Sequence, residues 1–197
     1  MSTTTVRNSA REAQARELQD LLQKVKEQRD RLFYYSEEEE LQKREPKRGG
    51  WSVLETIFHI NRVNASYLDQ LRGDFPRGTP GPAKTSWVGK MLLKTLKPGI
   101  EEEPEISYWK MKSPAAADPL KLQKKGHAVV ADVIFREFVT DLDVLAKWIA
   151  RYPEEELEKA RIRSLVPFLK VNGWDVLLIC LHHTSHHLRQ AQRIIER

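Results

Sequence analysis

The segment from Trp174 to Ile195 constrains the fold most, because most of its apolar residues fall on two of the three stripes that a helix would present. One stripe, largely apolar, comprises Val176, Cys180, His183, His187, Gln190 or Ala191, and Ile194. The other comprises Trp174, Leu177, Leu181, Thr184, Leu188 and Ile195. A helix that is apolar on two sides must pack against neighbours on both of them. The segment therefore predicts the last helix of an all-α bundle.

This segment also holds four of the six histidines of the chain, in the run His182-His183-Thr184-Ser185-His186-His187. Residues four apart share a helical face, so His183 can act with His187, or His182 with His186. The first pair lies on an apolar stripe. The second pair shares its stripe with Asp175, Ile179, Arg189 and Arg193. We expect His183 and His187 to point inward, and the other pair to face solvent or a subunit boundary.

Two neutral imidazoles on a buried stripe favour a divalent metal, but two ligands rarely suffice. His59 is the candidate for a third ligand, because the residues around it are apolar. These residues are Leu54, Ile57, Phe58, Ile60 and Val63. The sixth histidine, His127, follows Lys124-Lys125-Gly126 at an expected helix entrance and is predicted to be exposed.

The helix that carries His59 has a clear start signal. Gly49-Gly50 interrupts the chain, Ser52 occupies the N-cap position, and Glu55 three residues later completes a capping box. Glu55 also lies four residues before His59, so it could orient that imidazole as well. Cys180 lies one turn before His183, where it is either a thiol near the metal or a small buried hydrophobic residue.

The pattern W-S-x-x-E-x-x-x-H-I from Trp51, followed more than a hundred residues later by H-x-x-x-H-L-R-Q from His183, resembles the DinB/YfiT-like family of metalloenzymes. The resemblance spans nearly the whole chain and implies a four-helix bundle. It also implies that His59, His183 and His187 bind a divalent metal. The competing interpretation is that these histidines are hydrogen-bonded to neighbours in a metal-free bundle.

Three histidines without a carboxylate leave at least one coordination position open, which is typical of catalytic metal sites. The resemblance implies a metal-dependent hydrolase or a transferase that uses a low-molecular-weight thiol, acting on a small molecule. The alternative is a non-enzymatic metal-binding or structural bundle with a role in stress. Imidazole ligands suit zinc or nickel first, and iron or copper also. No residue pattern identifies a general base, so no catalytic residue is assigned.

The composition of the chain limits its domain count, its location and its partners. The 197 residues are enough for one domain, which we expect to span 1–197. The longest apolar runs are too short to cross a bilayer, and the N-terminus lacks the apolar stretch of a signal peptide. With a single cysteine, these features predict a cytoplasmic protein. The 33 basic residues are balanced by 28 acidic ones, so neither nucleic acid nor membrane is expected as a partner.

Periodicity and breaks predict four long helices. The first runs from about Arg7 to Tyr35, the second from Ser52 to about Leu71, and the third from near Asp118-Pro119, or a few residues later, to about Tyr152. Asn172 is expected to cap the last. A short turn is expected after Ser36, and a part-helical segment at 154–163. Lys84 to Leu96 predicts a short extra helix, which is a lid over the metal pocket, a dimer contact or a packed surface insertion. Its apolar residues, together with the two apolar stripes of the last helix, predict a homodimer. The long loop from Ile100 to Pro119 contains Tyr108 and Trp109, which either touch substrate or pin the loop.

Overall fold

The computed structural model describes residues 3–34, 38–44, 50–77, 81–96 and 113–196. Its α-helices are α1 (Thr3–Tyr34), α2 (Glu38–Leu41), α3 (Val53–Leu68), α4 (Trp87–Leu96), α5 (Pro119–Gln123), α6 (Ala131–Arg151) and α7 (Gly173–Ile195). A 3-10 turn at Leu157–Lys159 and two short strands, β1 (Ile162–Arg163) and β2 (Lys170–Val171), connect α6 to α7. The strands pair antiparallel. Among the described helices, none is long and apolar enough to cross a membrane.

The helices α1, α3, α6 and α7 form a bundle, as the sequence predicts. α1 and α6 run antiparallel. Near the start of α1, the Arg11 guanidinium donates to the Tyr152 carbonyl just after α6, with a distance of 2.9 Å. Near the end of α1, the Phe33 ring lies 4.4 Å from the Phe135 ring in the first turns of α6, measured between centroids.

α3 runs antiparallel to α7 and brings the first half of one helix against the second half of the other. The His59 ring lies 4.8 Å from the His187 ring, and further along α3 the Asn64 amide donates to the Thr184 hydroxyl at 3.3 Å. α3 is parallel to α6, because it is antiparallel to α7 and the C-terminal end of α6 lies beside the start of α7. There the Tyr152 ring lies 4.8 Å from that of Trp174. The chain must therefore cross the bundle between α3 and α6.

Both site-bearing helices begin with a capping box. In α3, the Ser52 hydroxyl accepts from the Glu55 amide while the Glu55 carboxylate accepts from the Ser52 amide. In α7, Asn172 and Asp175 make the same reciprocal pair. These caps satisfy backbone donors that helix starts leave without partners, which fixes where each helix begins. The predicted caps Ser52 and Asn172 are confirmed.

The predicted start of the third long helix is wrong. Asp118 does cap a helix, but that helix is the short α5. Gly126 then adopts φ +89°, a conformation that side-chain-bearing residues rarely take, and the helix cannot continue through it. α6 starts only at Ala131 and ends at Arg151, next to the predicted boundary at Tyr152.

The extra helix α4 confirms the segment predicted at Lys84 to Leu96 and packs against the start of α7. The Ser86 amide and hydroxyl both donate to the Asp175 carboxylate. Gly89 is buried directly over that carboxylate, so a β-carbon at this position would overlap it. Asp175 was grouped with a solvent-facing stripe, but it is fully buried, because it caps α7 and anchors α4 simultaneously.

The remaining short elements follow the sequence in outline. The turn expected after Ser36 is α2, and the segment 154–163 is helical only in its 3-10 turn. The Ile100–Pro119 loop, with Tyr108 and Trp109, lies outside the described residues up to 112. That residues 1–197 form one domain stays a prediction.

Asp141 on α6 carries an unusual carboxyl group in this core. Burial raises its pKa from an ordinary 3.8 to about 7, and the nearby carboxylates of Glu137 and Asp69 act in the same direction. The folded protein thus holds this proton more tightly than the unfolded chain does. Ionisation of Asp141 lowers the free energy of unfolding as the pH rises from about 4 to about 7.

We therefore expect Asp141→Asn to stabilise the protein at pH 8 by about 1–2 kcal/mol relative to its effect at pH 5, a figure that allows for solvent screening. Chemical denaturation of both proteins at the two pH values measures this difference. The exposed neighbour Asp143, changed to Asn, serves as the matched control. Equal pH dependence in Asp141→Asn and wild type would contradict the assignment.

Candidate metal centre

The structure brings His59, His183 and His187 together inside the bundle. One ring nitrogen from each lies within 4.8 Å of the others. His59 and His183 are 4 % and 8 % exposed, and His187 is half-buried. α3 supplies the first histidine and α7 the other two, at consecutive turns of the same face. The cluster therefore exists only when these two antiparallel helices are packed together.

The Nδ1 atom of His59 is committed to the backbone. It donates to the Ala117 carbonyl oxygen over 2.6 Å, which requires the proton on Nδ1 and leaves a lone pair on Nε2. That Nε2 lies 3.1 Å from Nε2 of His183. In the metal-free protein, His183 must therefore donate the proton in this contact. If the His183 proton lay on Nδ1 instead, Nε2 of both rings would offer a lone pair to a cation between them.

His187 is oriented in the same manner. Its Nδ1 lies 3.0 Å from Oε1 of Gln190, so the proton sits on Nδ1 and the Nε2 lone pair is free to bind. Side-chain or backbone oxygens that fix the tautomer of an imidazole are a general feature of histidine metal ligands. Ala117 and Gln190 occupy that role here.

Burial keeps all three imidazoles neutral. It lowers the pKa of His59, although the Ala117 carbonyl and the Asp118 carboxylate oppose the shift. Burial also holds the pKa of His183 and of His187 well below the ordinary 6.5, and the neighbouring histidines act in the same direction. Neutral imidazoles are the form that binds metals.

The spacing of the nitrogens fits a metal ion. Two imidazole nitrogens bound tetrahedrally at 2.0–2.1 Å lie about 3.3 Å apart, close to the 3.1 Å between Nε2 of His59 and Nε2 of His183. The Trp51 ring packs beside the cluster, with its centroid 4.8 Å from the His59 ring and 6.5 Å from the His187 ring. A half-buried indole there forms a wall against solvent.

A second layer of contacts fixes the segment 113–123 against α3. The Gln123 amide donates to Glu55 over 2.7 Å, in addition to the buried Ala117 carbonyl that holds His59. Glu55 also accepts two hydrogen bonds from Arg44, at 2.7 and 2.9 Å. The hydrogen bonds of Glu55 thus go to the cap, Arg44 and Gln123, and the possible role in orienting His59 belongs to Ala117 instead.

The other candidate residues lie apart from the cluster. Cys180 is completely buried, and burial raises the pKa of its thiol, so it packs as a small hydrophobic residue. His182 and His186, expected to face solvent or a subunit boundary, are half-buried. Neither belongs to the three-histidine group. His127 is exposed, as predicted.

Three residues that contact the histidines were given no role at the site by sequence reasoning. Gln190 carries a usable signal, since it lies three residues after His187 on the same helical face. Trp51 was noted only as part of a motif. Ala117 has no signal at all, because it contributes a backbone carbonyl whose position depends on the path of a connecting segment.

The sequence model of the DinB superfamily matches residues 36–191, which is most of the chain. The protein belongs to the DinB superfamily. The match includes all three clustered histidines. Comparison with curated proteins and with solved structures found no match.

We expect the double change His182→Gln and His186→Gln to leave metal content unchanged, because neither side chain joins the three-histidine group. Elemental analysis of the purified variant checks this. The matched control is the double change His183→Gln and His187→Gln, which should lose the metal. If the two double variants exchanged these results, the inward face of α7 would be the other one.

Proposed function

We propose that His59, His183 and His187 bind one divalent metal ion through their Nε2 atoms. The observation that carries this proposal is the pair of fixed tautomers: Ala117 and Gln190 each hold a proton on Nδ1 and leave Nε2 free toward the shared centre. Zinc or nickel suits these ligands first, and iron or copper also.

We further propose that the protein is a metal-dependent enzyme that acts on a small molecule, either as a hydrolase or as a transferase using a low-molecular-weight thiol. A bound metal with an open position would supply Lewis acidity and an activated water or thiolate. The support is the number of ligands: the group found in the described residues holds three histidines and no carboxylate or thiol.

The protein's own residues would serve this chemistry by preorganisation. Burial lowers the pKa of all three imidazoles, and the hydrogen bonds that His59 and His187 donate to Ala117 and Gln190 hold these two rings in place. Trp51 limits access of water on one side. Such a rigid, partly dry environment strengthens electrostatic interactions with a bound substrate. A non-enzymatic structural metal site uses the same residues and is the outcome if no activity is found.

Removal of any one ligand should greatly reduce metal content. We expect His59→Ala, His183→Ala and His187→Ala each to purify with little metal, and to lose the stabilisation that bound metal gives the folded state. Elemental analysis and thermal unfolding with and without added zinc measure both effects. His127→Ala, an exposed histidine, is the control. Wild-type metal content in all three variants would refute the site.

Metal affinity should decline as the pH falls. Protons compete for the same Nε2 lone pairs, and the lowered pKa values place this competition below the ordinary 6.5 of histidine. Titration with zinc at pH 8, 7 and 5 checks this. We expect similar affinity at the two higher values, and at pH 5 a loss smaller than ligands with the ordinary histidine pKa of 6.5 would show.

Activity is tested with metal-loaded protein against ester, amide and phosphoester panels, and separately against electrophiles with small thiols present. We expect turnover in one class that disappears in His59→Ala and in His183→Ala. Cys180→Ser should retain it, because that thiol is buried outside the cluster. Activity that persists without the histidines would come from contamination. If no substrate in any panel is turned over, the structural metal site is favoured.

We also propose a homodimer formed through the outer face of α4. The helix buries Leu92 and Leu93 against the bundle but leaves Trp87 74 % and Met91 37 % exposed. Large exposed apolar side chains of this kind favour association. We expect sedimentation equilibrium at tens of micromolar to give a dimer, and Trp87→Lys to give a monomer. Tyr34→Lys, at an aromatic residue on α1 that is 83 % exposed, should remain dimeric.

A further inference from the structure

The groups that accept hydrogen bonds from the histidine cluster carry no charge. His59 donates from Nδ1 to the backbone carbonyl of Ala117 at 2.6 Å, and the Ser113 hydroxyl lies 3.5 Å from the same nitrogen. His187 donates from Nδ1 to the side-chain amide oxygen of Gln190 at 3.0 Å. A metal-bound histidine often donates to a carboxylate instead, which makes the imidazole a stronger ligand and places a negative charge near the metal.

The third imidazole of the cluster brings no negative charge either. Nδ1 of His183 is buried and has no hydrogen-bond partner in the part of the chain that the structure describes. Besides burial, the groups that lower the pKa of His183 are the imidazoles of His59 and His186, which are not anions. All three rings are therefore held, or left, without a carboxylate acceptor.

Two carboxylates on the segments around His59 are each paired with a cation. Glu55, one turn before His59, accepts from the Arg44 guanidinium at 2.7 and 2.9 Å. Asp118, at the N-cap of α5, acts to raise the pKa of His59, but its carboxylate lies 3.6 Å from the Lys121 ammonium group. The opposite charges in each pair partly cancel at the distance of the cluster.

A divalent ion bound by these three neutral imidazoles would therefore keep most of its positive charge. Within the described residues, the group of possible ligands includes no carboxylate and no thiol. A charge in a largely buried place is unfavourable unless an opposite charge accompanies it. The ligand that suits the open coordination position is one whose donor atom carries a negative charge.

We propose that the metal centre takes an anionic ligand at its open position, and that Gln190 maintains this preference by holding His187 with a neutral amide. The inference rests on the proposed function, because it requires a metal bound to the three histidines. The shared chemistry is a small anionic donor, whether a carboxylate or a thiolate. Gln190 is a positioning residue, since it acts on the metal only through His187.

The test uses cobalt as the metal, because its visible absorption reports which ligands are bound. The cobalt-loaded full-length protein is titrated at pH 8 with azide, a small monoanion, and with imidazole, a neutral ligand. Acetate and 2-mercaptoethanol compare an oxygen with a sulfur anion. Gln190→Glu is nearly isosteric, so it keeps the acceptor and adds a charge, whereas Gln190→Leu removes the acceptor and adds none. Gln192→Glu, on the opposite face of α7, is the matched control for added charge.

We expect azide to bind the wild type and to bind Gln190→Glu more weakly by about tenfold or more, because the added carboxylate repels the anion. The affinity for imidazole should change less, and Gln192→Glu should bind azide as the wild type does. Gln190→Leu should bind cobalt about tenfold more weakly, yet bind azide normally once loaded. Tighter binding of acetate would identify an oxygen donor, tighter binding of 2-mercaptoethanol a sulfur donor, and equal binding an anion of either kind.

The spectrum without azide separates an effect of charge from a new metal ligand. Residue 190 contacts Nδ1 of His187, on the side of the ring away from Nε2. The azide-free spectra of Gln190→Glu and the wild type should therefore coincide. Circular dichroism verifies the fold of each variant before titration.

Three results would overturn this inference while leaving the metal site intact. They are normal cobalt binding by the wild type without any response to azide, equal azide affinity in Gln190→Glu and Gln192→Glu, and an equal loss of azide and imidazole affinity in Gln190→Glu. The first of these needs no variant. A wild-type protein that binds neither cobalt nor zinc would instead refute the proposed function, and this inference with it.

Discussion

The rest of the structure depends on the antiparallel packing of α3 against α7. This contact places His59 3.1 Å from His183 and sets Asn64 against Thr184, so polar groups occupy the centre of an otherwise apolar bundle. Burying polar groups is unfavourable unless each finds a partner. The apolar residues around them supply the free energy that holds these groups together, and the capping boxes fix where each helix starts.

The packing of α3 against α7 also sets the protonation state of the three histidines. Three imidazoles this close cannot all be charged, and burial lowers their pKa values further. The protein therefore holds in advance the neutral form that a metal requires. Asp141 shows the opposite case on α6, where burial favours the protonated acid. Both groups obey the same rule: desolvation disfavours whichever form carries charge.

Much of the fold was predictable because helical periodicity is local. The stripe of Val176 and Cys180 selected His183 and His187 over the neighbouring pair, and the structure groups these two with His59. The same method failed at Asp175, which the stripe assigned to solvent. The Asp175 carboxylate is buried because it caps α7 and also accepts a hydrogen bond from Ser86 next to α4. Helical periodicity cannot detect a contact between two separate helices.

The sequence by itself determined the four long helices apart from the start of α6, the caps at Ser52 and Asn172, and the three histidines that face inward, since each depends on residues a few positions apart. Only the tertiary structure decided that the Ala117 carbonyl and Gln190 fix the imidazole tautomers. The physical reason is that hydrogen bonds depend on distances of a few tenths of an ångström between segments far apart in the chain. Those distances follow from how whole helices pack.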